Sequence, residues 1–281
     1  MQQLGMIAGA GEFPVMIARQ AHHEGWTLPT VALSTQVASE LSPYCPTLVR
    51  CGPGQLTKIM RVLRQHGVQQ VVIVGKVQKH FLFENPRLDL RALRLLSQIR
   101  DWRDSVLFQA LAAEFARAGL EVIAQTRLLG HLLTPPGVLG DRRPSQREWD
   151  DIRYGFAQAQ RLVASDIGQT IVVRHRTVLA VEAVEGTDAA IQRGCQYGHR
   201  GTVVVKVGRP QQDMRFDVPT VGPQTLQVLT VGGATVLAIE AGTTLMVRRP
   251  ELIQTANAHH IALVGVSPAL LQQAETWGEA S

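Results

Sequence analysis

Leu4-Gly-Met-Ile-Ala-Gly-Ala-Gly-Glu-Phe-Pro14 decides the fold. Its first five residues read as a short buried strand, Gly9-Ala-Gly-Glu-Phe13 as a turn, and Pro14 as the opening of an amphipathic helix that runs to about His23. Proline suits a first helical turn because the N–H it lacks would have been unpaired there. Outward from this unit the alternation continues. Residues 30–33 read as a second strand, 47–50 as a third, and 54–65 as a helix. Val71-Val-Ile-Val74 is a β-branched run of the kind that fills a central parallel strand, and it ends in Gly75-Lys76. Residues 89–118 read as two helices broken near 101–105, and 120–124 as a further strand. Alternating strands and helices with buried-type strands predict an α/β fold with a Rossmann-like, doubly wound parallel sheet.

The texture changes after Leu132-Leu-Thr-Pro-Pro-Gly-Val-Leu-Gly140, whose prolines and glycines read as a linker between a domain at 1–132 and another at 133–281. Ser145 and Glu148 match a capping box that opens a helix to about residue 166. Strands are expected at 170–174, 178–183, 202–207, 234–240, 244–247 and 261–264, with turns at Gly168, 174–176, Gly232-Gly233 and Gly242. This predicts a mixed α/β second domain rather than a repeat of the first.

Ligands of such parallel sheets sit beyond the carboxyl ends of the strands, where Gly9–Glu12 and Gly75–Lys76 fall. The first loop is a partial dinucleotide fingerprint. Gly9 and Gly11 are present, but Pro14 takes the third-glycine place, and Leu33-Ser34-Thr35 offers no acidic residue for a ribose. That argues against a hydride-transfer cofactor and leaves a phosphate or ribose over the helix N-terminus. The competing reading is a tight turn whose glycines serve geometry alone. Lys76 at a strand end is a candidate phosphate ligand, set against an ordinary solvated lysine.

Two polar clusters mark the second half. Glu182-Ala-Val-Glu185-Gly-Thr-Asp188 leaves a strand and enters a helix; the competing reading is that Thr187 or Asp188 simply caps that helix. From Lys206 to Thr225, Asp213 and Asp217 stand four apart with Arg215 between them and Lys206 and Arg209 upstream. Carboxylates beside basic groups suit a magnesium ion carried on a substrate diphosphate. The plainer alternative is a surface loop of solvated charges.

Other classes recede. The 281 residues carry 28 basic and 23 acidic side chains, a net charge of +5. Only four of the basic residues are lysine, which leaves 24 arginines. An arginine-rich chain is compatible with nucleic acid, an anionic membrane or a phosphorylated metabolite. No nucleic-acid-binding motif, nucleophile elbow or Walker loop occurs, so no nucleic-acid partner is expected. None of the nine histidines stands in a metal-binding pattern. With a mean hydropathy of +0.03 and no apolar run of about 18 residues, no membrane span is expected. Without a charged, apolar leader the chain is expected in the cytoplasm. Cys45, Cys51 and Cys195 are too scattered for a disulfide framework or a zinc site.

Four stretches together resemble one family. They are the opening 4–14, the strand end Val74-Gly-Lys-Val77, the segment 182–188, and 206–222 with its Gln212-Asp-Met-Arg-Phe-Asp217 core. The chain resembles, over nearly its whole length, the LpxI family of UDP-2,3-diacylglucosamine pyrophosphatases of lipid A biosynthesis. Residues 78–85 are less typical of it. The resemblance implies a Rossmann-like domain, a second α/β domain, and magnesium-dependent hydrolysis of UDP-2,3-diacylglucosamine to UMP and 2,3-diacylglucosamine 1-phosphate. Water would attack the sugar-side phosphorus. It implies a catalytic aspartate at Asp213 or Asp217, with Mg²⁺ on those residues joined by Glu185 or Asp188. Lys76 and Lys206 would face the phosphates, and Gly9, Gly11 and Glu12 the nucleotide. The matched segments add Gly75, Gly186, Thr187, Gln212, Arg215, Thr220 and Gly222 as substrate-binding candidates. Acyl chains imply transient contact with the cytoplasmic face of the inner membrane, and the family implies a homodimer. The rival readings are a non-catalytic sugar-nucleotide sensor and a Rossmann-type oxidoreductase.

Overall fold

The structure, a computed structural model, describes residues 4–76, 88–99, 104–165, 167–209 and 212–276. Val77, the stretch 78–85, the start of the expected helix break at Asp101, the expected helix end at Asp166 and Pro210 lie outside the described residues. Two compact units emerge. One is Met1–Leu129 together with Asp213–Asp217; the other is Gly130–Gln212 together with Val218–Ser281.

The first unit carries β1 (Leu4–Ala8), α1 (Glu12–His23), β2 (Thr30–Ala32), α2 (Thr35–Leu41), β3 (Leu48–Arg50), α3 (Leu56–Gln65) and β4 (Gln70–Val74). After these come α4 (Leu90–Ser97), α5 (Asp104–Arg117), β5 (Glu121–Val122) and α6 (Thr126–Leu129). The strands make a parallel sheet in the order β3-β2-β1-β4-β5. This is the order of a doubly wound sheet, whose chain reverses its winding direction between β1 and β4. Apolar residues of α3, α4 and α5, among them Ile59, Leu63, Leu95 and Phe115, cover Ile7, Val31 and Val71 of the sheet. Helix α2 has little apolar periodicity to announce it, but Ser34 caps it by accepting from the Val37 amide.

The second unit is built from β6 (Gly137–Val138), α7 (Gln146–Ala164), β7 (Thr170–Arg174), β8 (Thr177–Val181), α8 (Thr187–Gly198) and β9 (Val203–Lys206). It continues with β10 (Thr220–Val221), α9 (Pro223–Gly232), β11 (Val236–Glu240), β12 (Leu245–Met246), α10 (Arg249–Ala258), β13 (Ala262–Val266) and α11 (Pro268–Thr276). Its main sheet runs β6-β13-β11-β9-β7-β8; β9, β11 and β13 are parallel, and β6, β7 and β8 antiparallel to their neighbours. The two-residue side-chain period of a strand splits β9 between two cores. Val203 and Val205 pack under α7 with Trp149, Ile152 and Val163. Val204 packs on the opposite face with Ile191 of α8, Leu226 of α9 and Leu252 of α10.

The capping box at Ser145 is formed on both sides, and Glu148 also accepts from Thr235 and Arg142. Burial would raise the Glu148 pKa, but these bonds outweigh it and hold the carboxyl below its usual range. The β7–β8 turn places His175 and Arg176 at positive φ, and the buried Asp151 holds both of their amides. The stretch read as a linker is different in fact. Gly137–Val138 forms an edge strand beside β13, a place where neighbouring prolines do no harm because an edge needs no second ladder. The five residues Asp213–Asp217, read from sequence as part of the second domain, pack with the first unit. The three cysteines are free and buried, and burial pushes each thiol's pKa up.

Candidate functional site

In the first unit the partial fingerprint and the Gly75 loop meet. The Ala10 amide donates to the Lys76 carbonyl at 2.9 Å, and the Lys76 amide returns to the Ala10 carbonyl at 2.7 Å. A Cβ on Gly9 would stand 2.6 Å from the Lys76 oxygen, and one on Gly75, whose φ is +91°, 2.7 Å from the Gly9 carbonyl. These two glycines therefore let the ends of β1 and β4 touch backbone to backbone. The geometric reading of Gly9 and Gly75 is realised, and Ala10 has no amide to spare for a ligand. Gly11 precedes α1 without a side-chain cap, so the amides of that first turn keep their helix-terminal polarity. Glu12 is exposed at the same end, as is Lys76.

The turn Asp213–Asp217 is seated in this unit by one residue that sequence reading missed. Gln125, only 4% exposed, stands just before α6, so its main-chain N–H has no acceptor in that helix. That N–H donates to the Met214 carbonyl at 2.8 Å, and its side-chain amide donates to the Phe216 carbonyl at 3.1 Å. Phe216 stacks flat on Phe108 at 4.7 Å between centroids. Inside the turn, Asp213 accepts from the Arg215 guanidinium at 2.8 and 2.7 Å and from the Arg215 amide at 3.1 Å. The paired guanidinium holds the Asp213 carboxyl below its usual range and raises Arg215 in turn. The two aspartates thus have different surroundings. Asp213 is a turn-former with both oxygens on Arg215, while the Asp217 amide closes the turn onto the Asp213 carbonyl at 3.2 Å. No local sequence signal pairs Gln125 with residues about ninety positions on.

The second unit centres on Lys206, the last residue of β9 and 5% exposed. Its ammonium donates to Thr187 Oγ1 at 2.8 Å and Thr170 Oγ1 at 3.3 Å, and stands 4.0 Å from Glu182. Thr187 in turn donates to Glu182 at 2.9 Å. The cap of α8 is Gly186, with no side-chain cap bond, so neither Thr187 nor Asp188 caps it. Thr187 instead links an acid to an amine. Thr170 lies opposite Lys206 in the antiparallel register of β7 and β9, a signal that becomes visible only once that pairing is known.

Around this centre Gln212 accepts from Gln169 at 3.2 Å and from the Arg209 amide at 3.3 Å. Glu240, at the end of β11, accepts from the Gly208 amide at 2.7 Å. Thr225 donates to Asp188 at 3.3 Å, which ties the first turn of α9 to that of α8. Gly222 precedes α9 without a side-chain cap, and Thr220 donates to the Val218 carbonyl at 2.9 Å.

Within either unit, no group of three or more His, Cys, Asp or Glu among the described residues is placed to hold a metal ion. Glu185 is bound to Arg193 at 2.7 Å, Asp188 to Thr225, and Asp213 to Arg215. In the second unit Glu185 and Asp188 are thus held by an arginine and a hydroxyl, and in the first unit Asp213 by an arginine, partners that compete with a cation.

A parallel sheet in Rossmann order, with a glycine loop at its switch point, and a mixed sheet with a buried lysine at a strand end place the chain among the two-unit α/β proteins of the nucleotide-binding type. Comparison with known proteins makes this specific. The model of the LpxI N-terminal domain matches residues 3–132 and that of the LpxI C-terminal domain residues 135–264, so the chain belongs to the LpxI family. The UDP-2,3-diacylglucosamine pyrophosphatase LpxI of Caulobacter vibrioides is 31% identical to it over 279 residues, 95% of this chain and 99% of that protein. No helix among the described residues is long and apolar enough to cross a membrane.

Proposed function

We propose that this chain hydrolyses the diphosphate of UDP-2,3-diacylglucosamine, releasing UMP and 2,3-diacylglucosamine 1-phosphate. The observation that carries the reading is its 31% identity, over 95% of the chain, to a relative named for that activity. The chemistry needs charge neutralised on non-bridging oxygens, a placed water and a stabilised leaving phosphate. Lys206 supplies a cation that is fixed before substrate arrives, because two threonine hydroxyls and Glu182 already hold its ammonium. Gly186 and Gly222 leave helix N-termini open to phosphate oxygens, and Gly11 and Glu12 serve the nucleotide end, where Glu12 accepts from ribose hydroxyls.

Between the aspartates, the reading assigns the reaction to Asp217, the exposed residue at the end of the turn, and gives Asp213, whose oxygens accept from Arg215, the shaping of that turn. Magnesium commonly keeps several waters and takes one or two carboxylates with substrate phosphates, so no protein cage is required. Asp217 would hold it beside the diphosphate, and the ion would supply charge neutralisation there. Peripheral contact with a membrane follows from the acylated substrate, and the homodimer implied by the family belongs to the same proposal.

The test is release of UMP from the diacylated UDP-sugar, measured with Mg²⁺ and with excess EDTA. The expected result is turnover that EDTA abolishes and Mg²⁺ restores. UMP release unaffected by EDTA removes magnesium from the scheme, and no release at all overturns the assignment.

A further inference from the structure

We infer that the outer faces of α3 and α4 form a docking surface for an anionic lipid bilayer, an inference that rests on the reading above for why a bilayer should be approached at all. The two helices are fastened at their starts. Asp89 accepts from the Ala92 amide as the cap of α4 and from the Thr57 amide of α3, while its own amide donates to the Gly54 carbonyl. Their inner faces share one core, with Ile59, Met60 and Leu63 of α3 beside Ala92 and Leu95 of α4. Their outer faces are therefore exposed side by side.

Those faces have an unusual makeup. Helix α3 exposes Lys58, Arg61 and Arg64, and α4 exposes Arg91 and Arg94, while neither helix contains an acidic residue. Arg91 is partly engaged by Glu114, which leaves Lys58, Arg61, Arg64 and Arg94 as the outward charges. Asp89 is consumed by the two helix starts, and Glu114 by Arg91 and Arg117. Among these charges stand two leucines turned to solvent, Leu90 at 86% and Leu93 at 49% exposure, three apart on one helix face.

Charge alone would fit any polyanion. Exposed leucines beside it fit a bilayer, because apolar side chains sink to the acyl boundary while basic ones meet the anionic headgroups. Arginine also covers apolar surface with its stem while its head stays wet. The surface gives four of the 24 arginines, Arg61, Arg64, Arg91 and Arg94, a place in the fold, and it needs no membrane-spanning or separate anchor helix.

The test is sedimentation of the full-length protein with sucrose-loaded vesicles, either pure phosphatidylcholine or with roughly 30% phosphatidylglycerol, at low and high salt. Each basic residue at an anionic surface is worth about five-fold in binding, so Arg61→Ser/Arg64→Ser/Arg94→Ser should lose about a hundred-fold at low salt. Leu90→Ser/Leu93→Ser should lose at least about ten-fold, since it removes about six apolar carbons from the contact. The parent should bind only the anionic vesicles and release them at high salt. Both variants should keep turnover in detergent micelles, because none of the five residues belongs to the candidate site. A parent that ignores anionic vesicles, or variants that bind as the parent does, overturns the surface. Loss in the arginine variant without loss in the leucine variant also overturns it, in favour of a general polyanion face. Vesicle binding needs no substrate, so an inactive protein that still binds would sink the enzymatic reading alone.

Discussion

Gln125→Met tests whether the first unit's fold positions the aspartate turn. The side chain keeps its length but loses the amide that donates to the Phe216 carbonyl at 3.1 Å, while the main-chain bond to Met214 stays. A carbonyl left without its donor in a half-buried place costs about 1–2 kcal/mol. The Phe108–Phe216 stack adds about 1 kcal/mol beyond its buried area. With the remaining main-chain bond, the seat gains roughly 3–5 kcal/mol in all. Ordering a five-residue turn opposes this at about 1 kcal/mol per residue, partly offset by the bonds inside the turn. The net reserve is small, so losing 1–2 kcal/mol should unseat the turn for much of the time. At about 1.4 kcal/mol per ten-fold, Gln125→Met should lower kcat by about five- to thirty-fold. Gln125→Met/Phe216→Ala should lower it by more than about fifty-fold. The sheet core is untouched by the first change, so its Tm should move by no more than about 4 °C. UMP release, circular dichroism and a thermal scan on the same samples separate the two effects. A folded double variant that turns over within two-fold of the parent refutes the seating argument.

Three further outcomes follow from the geometry. Asp217→Asn should reduce turnover by more than about a hundred-fold, whereas Asp213→Asn should lower turnover only modestly and Tm with it because it loosens the Arg215 clamp; UMP release and thermal scans decide between them. Gly9→Ala puts a methyl 2.6 Å from a backbone oxygen that cannot step aside, and should cost about 1–3 kcal/mol in a urea titration. Asp213 is held below the ordinary carboxyl range, so its contribution to stability is present above the unfolded value of about 3.9 and disappears as pH falls through the lower folded value. A carbon-detected NMR titration should place its midpoint below that of an ordinary aspartate, and Arg215→Gln should move it upward.

The parts of the fold that local pattern dictates were legible from residues alone. The glycine turn between β1 and α1, the buried run at Val71 and the capping box at Ser145 each carry their structure within a few positions; the last two appear as expected, while α1 begins at Glu12, two residues before the Pro14 read as its opening. Residues 137–138 misled because an edge strand with prolines and glycines nearby has the composition of a linker. Helix α2 escaped because its announcement is a single serine cap. The site was legible as a list and not as an arrangement. Lys206 and Thr187 stood out, yet the hydroxyl's bond to both Lys206 and Glu182 requires β9 and α8 to be laid side by side. Asp213 and Asp217 looked equivalent until Arg215 was seen to take one of them, and nothing near them in the chain points to Gln125.

That excursion of five residues has a consequence for how the molecule can be divided. A gene cut near residue 130 would give one fragment with the cradle and another with the aspartates it is meant to hold. Each would carry a sheet and a core, and each would lack what the other has. The conventional habit of treating sequence halves as exchangeable modules would break down here: a chimaera that joined the first half of one relative to the second half of another would have to match a cradle to a foreign turn, and compatibility at Gln125, Phe108 and Phe216 would decide whether it worked.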